Sequence, residues 1–266
     1  MRAVPLIALS LLAAACVSGD TSSLSSSPDA DRADRLRAAM ADPEAARLFA
    51  GVLDSIAPED GWARTRYLAF DRISGAGVKR THRWDLWDGS YWLRADVPDG
   101  EMIARFNVNT PTAAPEIRID GEPVTDSERA VAFALQAYRM FINDTYWLVF
   151  PFKWNDPGVT TRYLGKMELW GETFEAIELS FDAVGLTPQN RYRAFVDPDS
   201  GMFEIWQYYG NAEDDTPGFT QRWTDWQRHG PILLSSRREG EDGSVGVRFE
   251  NLVASDQVPP GAFLAP

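Results

Sequence analysis

The sequence predicts a mainly β fold with added helices: a strongly curved antiparallel sheet, or incomplete β-barrel, with one inserted plug or lid helix. About a dozen short segments alternate apolar and polar residues and are separated by turn signals such as Asp120-Gly121. One segment near residues 125–142 has helical periodicity instead. With 44% hydrophobic residues and 10 tryptophans among 266 residues, the chain has material for one large core.

Residues 1–15 follow the plan of a signal peptide. Arg2 gives a positive start, and an apolar run over residues 4–12 leads to small residues and Cys16. The run is well short of the roughly 20 residues that a membrane-spanning helix needs. Small residues before a cysteine resemble a bacterial lipobox, which implies cleavage before Cys16 and lipidation of its thiol. The alternative is an ordinary secretory signal with an incidental cysteine.

Cys16 is the only cysteine of the chain, which excludes a disulfide framework, a thiolate metal site and a catalytic thiol from the folded body. Val17, rather than an aspartate, follows it, which resembles the outer-membrane sorting signal of some bacteria. We therefore expect a lipid-anchored protein of the bacterial cell envelope, on the outer membrane and facing the periplasm.

Residues 16–42 are predicted to hold the lipidated cysteine and a flexible tether. Ser, Thr, Asp and Ala dominate this segment, and large apolar side chains are too few to offset the entropy lost on ordering. Residues 43–266 are then predicted to form a single domain.

The domain is predicted to open with an amphipathic helix. Asp42-Pro43-Glu44 supplies an N-cap, a proline at the first helical position and an acid in the first turn. Apolar residues at helical spacing over 48–56 continue the pattern, which ends near Pro58.

From residue 62 onward the apolar period changes to two, which is typical of half-buried strands joined by short turns. We expect these strands to form one curved sheet or incomplete barrel. They lie near residues 62–72, 79–88, 90–97, 102–109, 116–120, 159–169, 177–182, 190–197, 202–209, 219–228, 232–239 and 245–250.

The inserted helix is predicted over residues 125–142. Thr125 with Glu128 three places later offers an N-terminal capping pattern, and apolar residues then cover more than half of the helix circumference. We expect the helix to end at Asn143-Asp144, before a very hydrophobic run at 146–152. A helix this apolar must be covered on most sides, as a plug inside a curved sheet would be.

This plan resembles the LolA/LolB-like lipoprotein carrier superfamily. Within it, an uncharacterised family of envelope lipoproteins is similar in Phe141-Ile-Asn-Asp-Thr-Tyr-Trp-Leu-Val-Phe-Pro-Phe-Lys153, Asp156-Pro-Gly-Val159, Glu178-Leu-Ser-Phe and Trp223-Thr-Asp-Trp226. The resemblance covers roughly residues 60–265 and implies the fold more firmly than a function. In the carriers, an apolar cavity between sheet and helices shelters acyl chains. A lipid anchor of its own makes this chain more similar to the membrane-bound acceptor than to the soluble shuttle.

Residues for metal, nucleotide or nucleophilic chemistry are sparse. His82 and His229 are the only histidines, and we expect a strand histidine and a solvated turn residue. No Gly-x-Ser-x-Gly elbow or phosphate-cradling loop occurs. Glu213-Asp214-Asp215 lacks the EF-hand spacing and is predicted to be a solvated acidic loop. We expect no metal, no cofactor and, at a formal net charge of −13, no nucleic-acid partner.

The many aromatic side chains indicate a binding site, because they exceed what a minimal core needs. The alternative, equally open, is that they simply fill a wide β core. The candidate hydrophobic cavity lies between the sheet and the 125–142 helix. Its predicted lining residues are Phe133, Leu135, Tyr138, Phe141, Trp147, Phe150, Phe152, Trp84, Trp92 and Trp206.

Three classes of function follow. The first is a noncatalytic, membrane-anchored module that binds the acyl chains of a lipid or of another lipoprotein in that cavity. The second is an envelope scaffold with a closed core, which binds an unknown protein partner. The third is a secreted hydrolase using a carboxylate pair, such as Glu175 with Glu178, or Asp225 with another acid. Because the chain has 39 acidic residues, chance proximity explains such a pair equally well, and a non-enzyme is favoured.

We expect a Cys16→Ser protein to incorporate no labelled fatty acid and to migrate differently from wild type on a gel. Serine offers no thiol to the lipidating enzyme, so both the label and the anchor are lost. Equal mobility and equal labelling of the two proteins would show that Cys16 is incidental.

Overall fold

A computed structural model of the chain describes residues 34–36, 38–182 and 186–264. The predicted signal peptide, the lipidation site at Cys16 and most of the predicted tether lie outside these ranges.

Within the described ranges, 13 strands form one open antiparallel sheet. The strands are β1 (Tyr67–Ser74), β2 (Lys79–Asp85), β3 (Ser90–Val97), β4 (Gly100–Asn107), β5 (Glu116–Ile119), β6 (Glu122–Pro123), β7 (Val159–Leu169), β8 (Glu172–Phe181), β9 (Arg191–Val196), β10 (Phe203–Tyr209), β11 (Phe219–His229), β12 (Ile232–Glu239) and β13 (Val245–Ser255). Their order across the sheet is β6-β5-β4-β3-β2-β1-β13-β12-β11-β10-β9-β8-β7.

Each predicted strand is present, and the prediction of an open antiparallel sheet with an inserted helix is confirmed. The sequence did not predict β6, since two residues carry no readable period. Pairing of β1 with β13 joins two meanders, β1–β6 and β7–β13. This arrangement puts β6 and β7 at opposite edges of the sheet, so the chain must cross the whole sheet between them.

The helix α3 (Ser127–Val149) makes that crossing, and at about 1.5 Å per residue its 23 residues span about 35 Å. Its rings contact strands of both meanders: Phe141 lies 5.1 Å from Trp84 of β2, and Trp147 lies 4.9 Å from Trp206 of β10, between ring centroids. We call the sheet face that α3 covers the inner face.

Helix α3 begins and ends at positions other than those predicted. Its N-cap is Asp126, not Thr125, and the Asp126 carboxylate accepts a hydrogen bond from the backbone N–H of Arg129 at 2.7 Å. The helix continues through Asn143 and Asp144 to Val149, although both residues have low helix propensity. Tertiary contacts of Asp144 outweigh that propensity, as described below.

The predicted first helix is confirmed as α1 (Pro43–Ile56), and a short helix α2 (Gly61–Arg64) follows it. One Asp42 oxygen accepts from the backbone N–H groups of Glu44 and Ala45, at 3.0 and 3.1 Å. The other accepts from the backbone N–H of Tyr163 on the edge strand β7, at 2.8 Å. Asp42 therefore both caps α1 and attaches it to the sheet edge.

The packed domain begins earlier than the predicted boundary at residue 43. Leu36 and Met40, inside the predicted tether, are only 4% and 9% exposed and belong to the main core. Their spacing of four residues puts both on one side of a helical turn. Polar neighbours hid this pair in the sequence.

A buried polar cluster fixes α3 to the sheet. Asp144 is 0% exposed and lies 2.9 Å from Nη1 of Arg80 on β2 and 3.2 Å from Nε of Arg72 on β1. Although burial opposes its charged form, His82 and the two guanidinium groups lower the pKa of Asp144 to about 2. The carboxylate is therefore ionised at neutral pH, and the two neighbouring guanidinium groups compensate its charge.

His82 extends this cluster to β3. Its Nε2 lies 3.2 Å from an Asp144 oxygen, and its Nδ1 lies 2.6 Å from the hydroxyl of Tyr91. Burial lowers the pKa of His82, so the ring is neutral at neutral pH. Because a carboxylate can only accept, Nε2 carries the proton and the Tyr91 hydroxyl donates to Nδ1.

We expect Asp144→Asn to lower the free energy of unfolding by about 3 kcal/mol, since it leaves two guanidinium groups beneath α3 without their counter-charge. Asp156→Asn is the matched control. It breaks a half-exposed pair with Lys153, 2.6 Å long, and should cost less than about 1 kcal/mol. Denaturant unfolding measures both, and equal losses would contradict the role of the cluster.

We also expect the protein to lose stability as the pH falls from about 6.5 to 5. The folded pKa of His82 lies below its ordinary value of 6.5, so below that pH the unfolded chain binds a proton that the folded chain does not. The slope of the free energy of unfolding against pH approaches about 1.4 kcal/mol per pH unit for one such group.

Burial also lowers the pKa of His229, but this histidine is only partly buried. The free energy of unfolding, measured against pH in His82→Asn and His229→Asn proteins, should lose more of its slope in the first. A slope that is unchanged in His82→Asn would contradict the assignment.

Candidate functional site: the aromatic interior and its side cleft

Two aromatic groups lie between α3 and the inner face, on either side of Asp144. The first surrounds Phe141, whose ring centroid lies 4.7 Å from Tyr91, 5.1 Å from Trp84 and 5.8 Å from Tyr138. All three partners belong to the main core or pack against it. This half of the interior is filled by side chains.

The second group surrounds Phe150, which follows the last residue of α3. Phe150, Pro151 and Phe152 form a short 3-10 turn, where the proline cannot continue the α-helix. The Phe150 ring is fully buried and lies 5.1 Å from Trp206 on β10. Five further rings enclose it, at 5.4 Å (Tyr146 and Phe203), 5.6 Å (Tyr192), 5.9 Å (Trp154) and 6.2 Å (Trp223).

The structure brings most of the predicted cavity residues together. Trp84, Tyr138 and Phe141 belong to the Phe141 group, and Trp147 and Trp206 pack in the Phe150 group. Phe133 is buried near the start of α3, beneath the guanidinium of Arg129. These side chains pack against one another, so in the structure they fill the space that the sequence assigns to a cavity.

Two predicted residues lie elsewhere. Trp92 is on the outer face, because Tyr91 and Leu93 point to α3 and side chains alternate along a strand. The guanidinium of Arg83 covers it, 4.3 Å from the ring centroid. Leu135 is 40% exposed, on the side of α3 that faces away from the sheet. Neither residue lines the space between helix and sheet.

A cleft of about 300 Å³ opens beside the Phe150 group. α1, α2, the segment before α1 and the 3-10 turn form its walls, which include Leu36, Ala39, Phe49, Leu53, Trp62 and Phe152. An ion pair between Arg35 and Asp60, 3.2 Å long, lies beside it. The cleft is mostly apolar, and its volume is at the lower end of the range, about 300–1,000 Å³, typical of small-molecule pockets.

One layer of rings separates this cleft from the interior. Phe152 stacks on Trp62 with ring centroids 4.4 Å apart and planes within 7° of parallel. Phe49 lies 5.4 Å from Trp154, which in turn lies 5.9 Å from Phe150. Movement of the 3-10 turn would therefore connect the cleft with the space beneath α3.

Of the residues that line the cleft, Phe152 alone was predicted from the sequence to line a cavity. The apolar stripe of α1 contained Phe49 and Leu53, but the stripe alone does not distinguish a side chain that packs from one that lines a cleft. Leu36 and Ala39 stood in a segment predicted to be a tether. The pairing of Trp62 with Phe152 joins residues far apart in sequence and left no local signal.

The geometry gives less support to catalysis by a carboxylate pair and to metal binding. Glu175 and Glu178 point to opposite faces of β8: Glu175 binds Arg47 at 2.7 Å, while Glu178 binds Arg162, Arg191 and Arg193 on the outer face. These two acids therefore do not form a catalytic pair. Within the described residues, no three His, Cys, Asp or Glu side chains are grouped so that they could hold a metal ion.

None of the described helices combines the length and the apolar character that crossing a membrane requires.

No protein-family model and no curated protein matches the chain. Among solved structures, a DUF1329 family protein from Desulfovibrio piger is 11% identical, over 84% of this chain and 97% of its own, with a TM-score of 0.47. A putative outer membrane lipoprotein-sorting protein domain from Vibrio parahaemolyticus is 8% identical, over 76% and 92%, with a TM-score of 0.37. The lipoprotein LppX from Mycobacterium tuberculosis is 9% identical, over 80% and 97%, with a TM-score of 0.30. A lipoprotein-sorting domain, the class of protein that the sequence resembles, is thus among these structures, and the likeness concerns the fold alone.

Proposed function

We propose that the chain is a noncatalytic protein of the bacterial cell envelope, anchored through Cys16, that binds an acyl chain of a lipid or of another lipoprotein. The observation that carries the proposal is the apolar cleft beside α1, which is separated from the aromatic interior under α3 by one layer of rings. Most side chains in the walls of both are aliphatic or aromatic, which suits an alkyl chain, while Arg35, Asp60 and Asn155 add polar groups to the lining of the cleft.

Binding would proceed by burial of the alkyl chain in two steps. The first carbons enter the open cleft, and each Å² of apolar surface removed from water contributes about 25 cal/mol. A longer chain needs more room than about 300 Å³, so the 3-10 turn at Phe150–Phe152 and the end of α3 must move. The ligand selects this opened form to the extent that it binds it more tightly than the closed form.

The position of the cleft suits a membrane-anchored protein. One of its walls is the segment of Leu36 and Ala39, which leads back along the chain towards Cys16. About 18 residues of sequence separate Cys16 from the described part of the chain, and a flexible chain of that length would span about 25 Å. The anchor would therefore hold the cleft within reach of the membrane surface from which it takes an acyl chain.

The filled interior favours a second candidate, an envelope scaffold with a closed core. Phe150, Trp154 and Trp206 are all fully buried, so the space beneath α3 is occupied by the protein's own rings. In this alternative the rings never move, and the protein acts by binding a protein partner through its surface.

The test is to purify the full chain from its native host, denature it, and identify released lipid by mass spectrometry. The lipid on Cys16 is covalent and stays with the protein, whereas a lipid held in the cleft is released on denaturation. Acyl species at about one per protein support the lipid-binding function. Lipid-free protein that also fails to bind fluorescent fatty acids favours the scaffold.

We expect Ala39→Glu to reduce the released acyl species, because it puts a carboxylate into the apolar cleft from an exposed position. Ala38→Glu is the matched control, since Ala38 is also exposed in the same segment but does not line the cleft. Both proteins should unfold at the denaturant concentration of wild type. Equal lipid content in the two variants would contradict this site.

A further inference from the structure

Four buried polar atoms in the Phe150 group have no hydrogen-bond partner among the residues that the structure describes. They are the hydroxyl of Tyr146 and the indole Nε1 atoms of Trp154, Trp206 and Trp223. A buried donor left without an acceptor costs about 1–3 kcal/mol, so four in one region is a large loss for a core that serves packing alone.

Several other rings of this protein do have partners. The Tyr91 hydroxyl pairs with His82 at 2.6 Å, and the Tyr209 hydroxyl donates to Gln207 at 2.9 Å. Trp226, on the same strand as Trp223, donates its indole N–H to the Trp223 carbonyl at 3.1 Å. In the described part of the chain, five buried indole and phenol groups have no partner, and four of them surround Phe150, the fifth being the indole of Trp84.

All four rings are direct neighbours of the same side chain. Their centroids lie between 5.1 and 6.2 Å from that of Phe150, so the Phe150 ring occupies the space that they enclose. A phenylalanine ring offers no oxygen or nitrogen to accept from them. Withdrawal of Phe150 would leave an apolar space bordered by four rings that carry hydrogen-bonding groups.

A positive charge lies next to this wall. Arg238 is fully buried, and its guanidinium carbon lies 3.2 Å from the centroid of the Trp223 ring. Among the described residues, its nitrogens donate to neutral oxygens alone, those of Ser235, Arg237 and Trp147. A full positive charge without a carboxylate partner favours electron-rich groups nearby and disfavours cations.

We propose that this ring of donors binds the oxygen-bearing group of the ligand, the carbonyl of an acyl ester, amide or acid, in the place that Phe150 occupies. The inference rests on the proposed acyl-binding function and narrows its ligand class. Indole N–H groups can only donate, so the ligand must present acceptors. Plain hydrocarbons and amines do not fit the site, whereas an acyl group carries its carbonyl beside its alkyl chain.

The route to this place is the one described for the alkyl chain. Phe152 lines the cleft, and Phe150 stands two residues earlier on the same 3-10 turn. A single movement of that turn withdraws Phe150 from the four rings and opens the wall of the cleft. The acyl carbonyl then lies among the rings, and the alkyl chain lies along the apolar walls.

The experiment compares two probes of similar length, methyl decanoate and dodecane, on the full chain at matched free concentrations. Tryptophan fluorescence gives the affinity, and the indole ¹H–¹⁵N signals report hydrogen bonding. We expect methyl decanoate to bind more tightly and to move the indole signals of Trp154, Trp206 and Trp223 to higher proton frequency, while dodecane does not.

Single substitutions locate the effect. Tyr146→Phe removes one hydroxyl and Trp206→Phe removes one indole N–H. Each should weaken methyl decanoate binding about three- to tenfold, the value of one hydrogen bond, and leave the affinity for dodecane nearly unchanged. Trp84→Phe is the matched control, since Trp84 is also buried with an unpartnered Nε1 but packs on Phe141 instead.

Tyr146→Phe keeps the ring and removes an unpartnered buried hydroxyl, so the variant should fold at least as stably as wild type. Equal affinity for the two probes in wild type, or the same loss in Trp84→Phe as in Tyr146→Phe, would overturn this inference and leave the acyl-binding function standing. Binding of neither probe would overturn both.

Discussion

The crossing of α3 is the constraint on which the rest of the structure depends. The two meanders place β6 and β7 at opposite edges, so the chain between them has to run over the inner face. Asp144, bound beneath the helix to Arg72 and Arg80, fixes where it crosses. A single buried carboxylate thereby sets the position of both aromatic groups, one on each side of it. The 3-10 turn, the cleft and the ring of unpartnered donors all lie beyond it, at the far end of α3.

The two halves of the interior beneath α3 differ in the polar groups that they contain. The half with Phe141 is polar at its base, where His82 and Tyr91 continue the cluster of Asp144. The half with Phe150 is apolar, and four of its rings carry polar groups that have no partner among the described residues. The charged cluster fixes the first half to the sheet. The second half adjoins the cleft.

The strands and helices were readable from the sequence because each is a local pattern. Alternation of period two predicted every strand except the two-residue β6, and the Asp42-Pro43-Glu44 sequence predicted the start of α1. The end of α3 was not readable, because Asn143 and Asp144 favour a helix end locally and only Arg72 and Arg80, about 70 residues earlier, reverse that preference. Trp92 and Leu135 were misplaced because composition marks a residue as apolar without telling which side of its element faces the core. The cleft depends on pairs such as Trp62 with Phe152, which only the tertiary structure brings together.

The hydrogen bond from the Tyr163 N–H to Asp42 also protects an open edge of the sheet. β7 is an 11-residue strand at the open edge of the sheet, and such edges invite another strand to pair and start an aggregate. The Asp42 carboxylate already occupies a backbone donor of that edge, near the register shift between Tyr163 and Gly165. An incoming strand would have to displace a charged cap and distort its own ladder at the bulge. The N-cap of α1 thus also opposes self-association through strand pairing at β7.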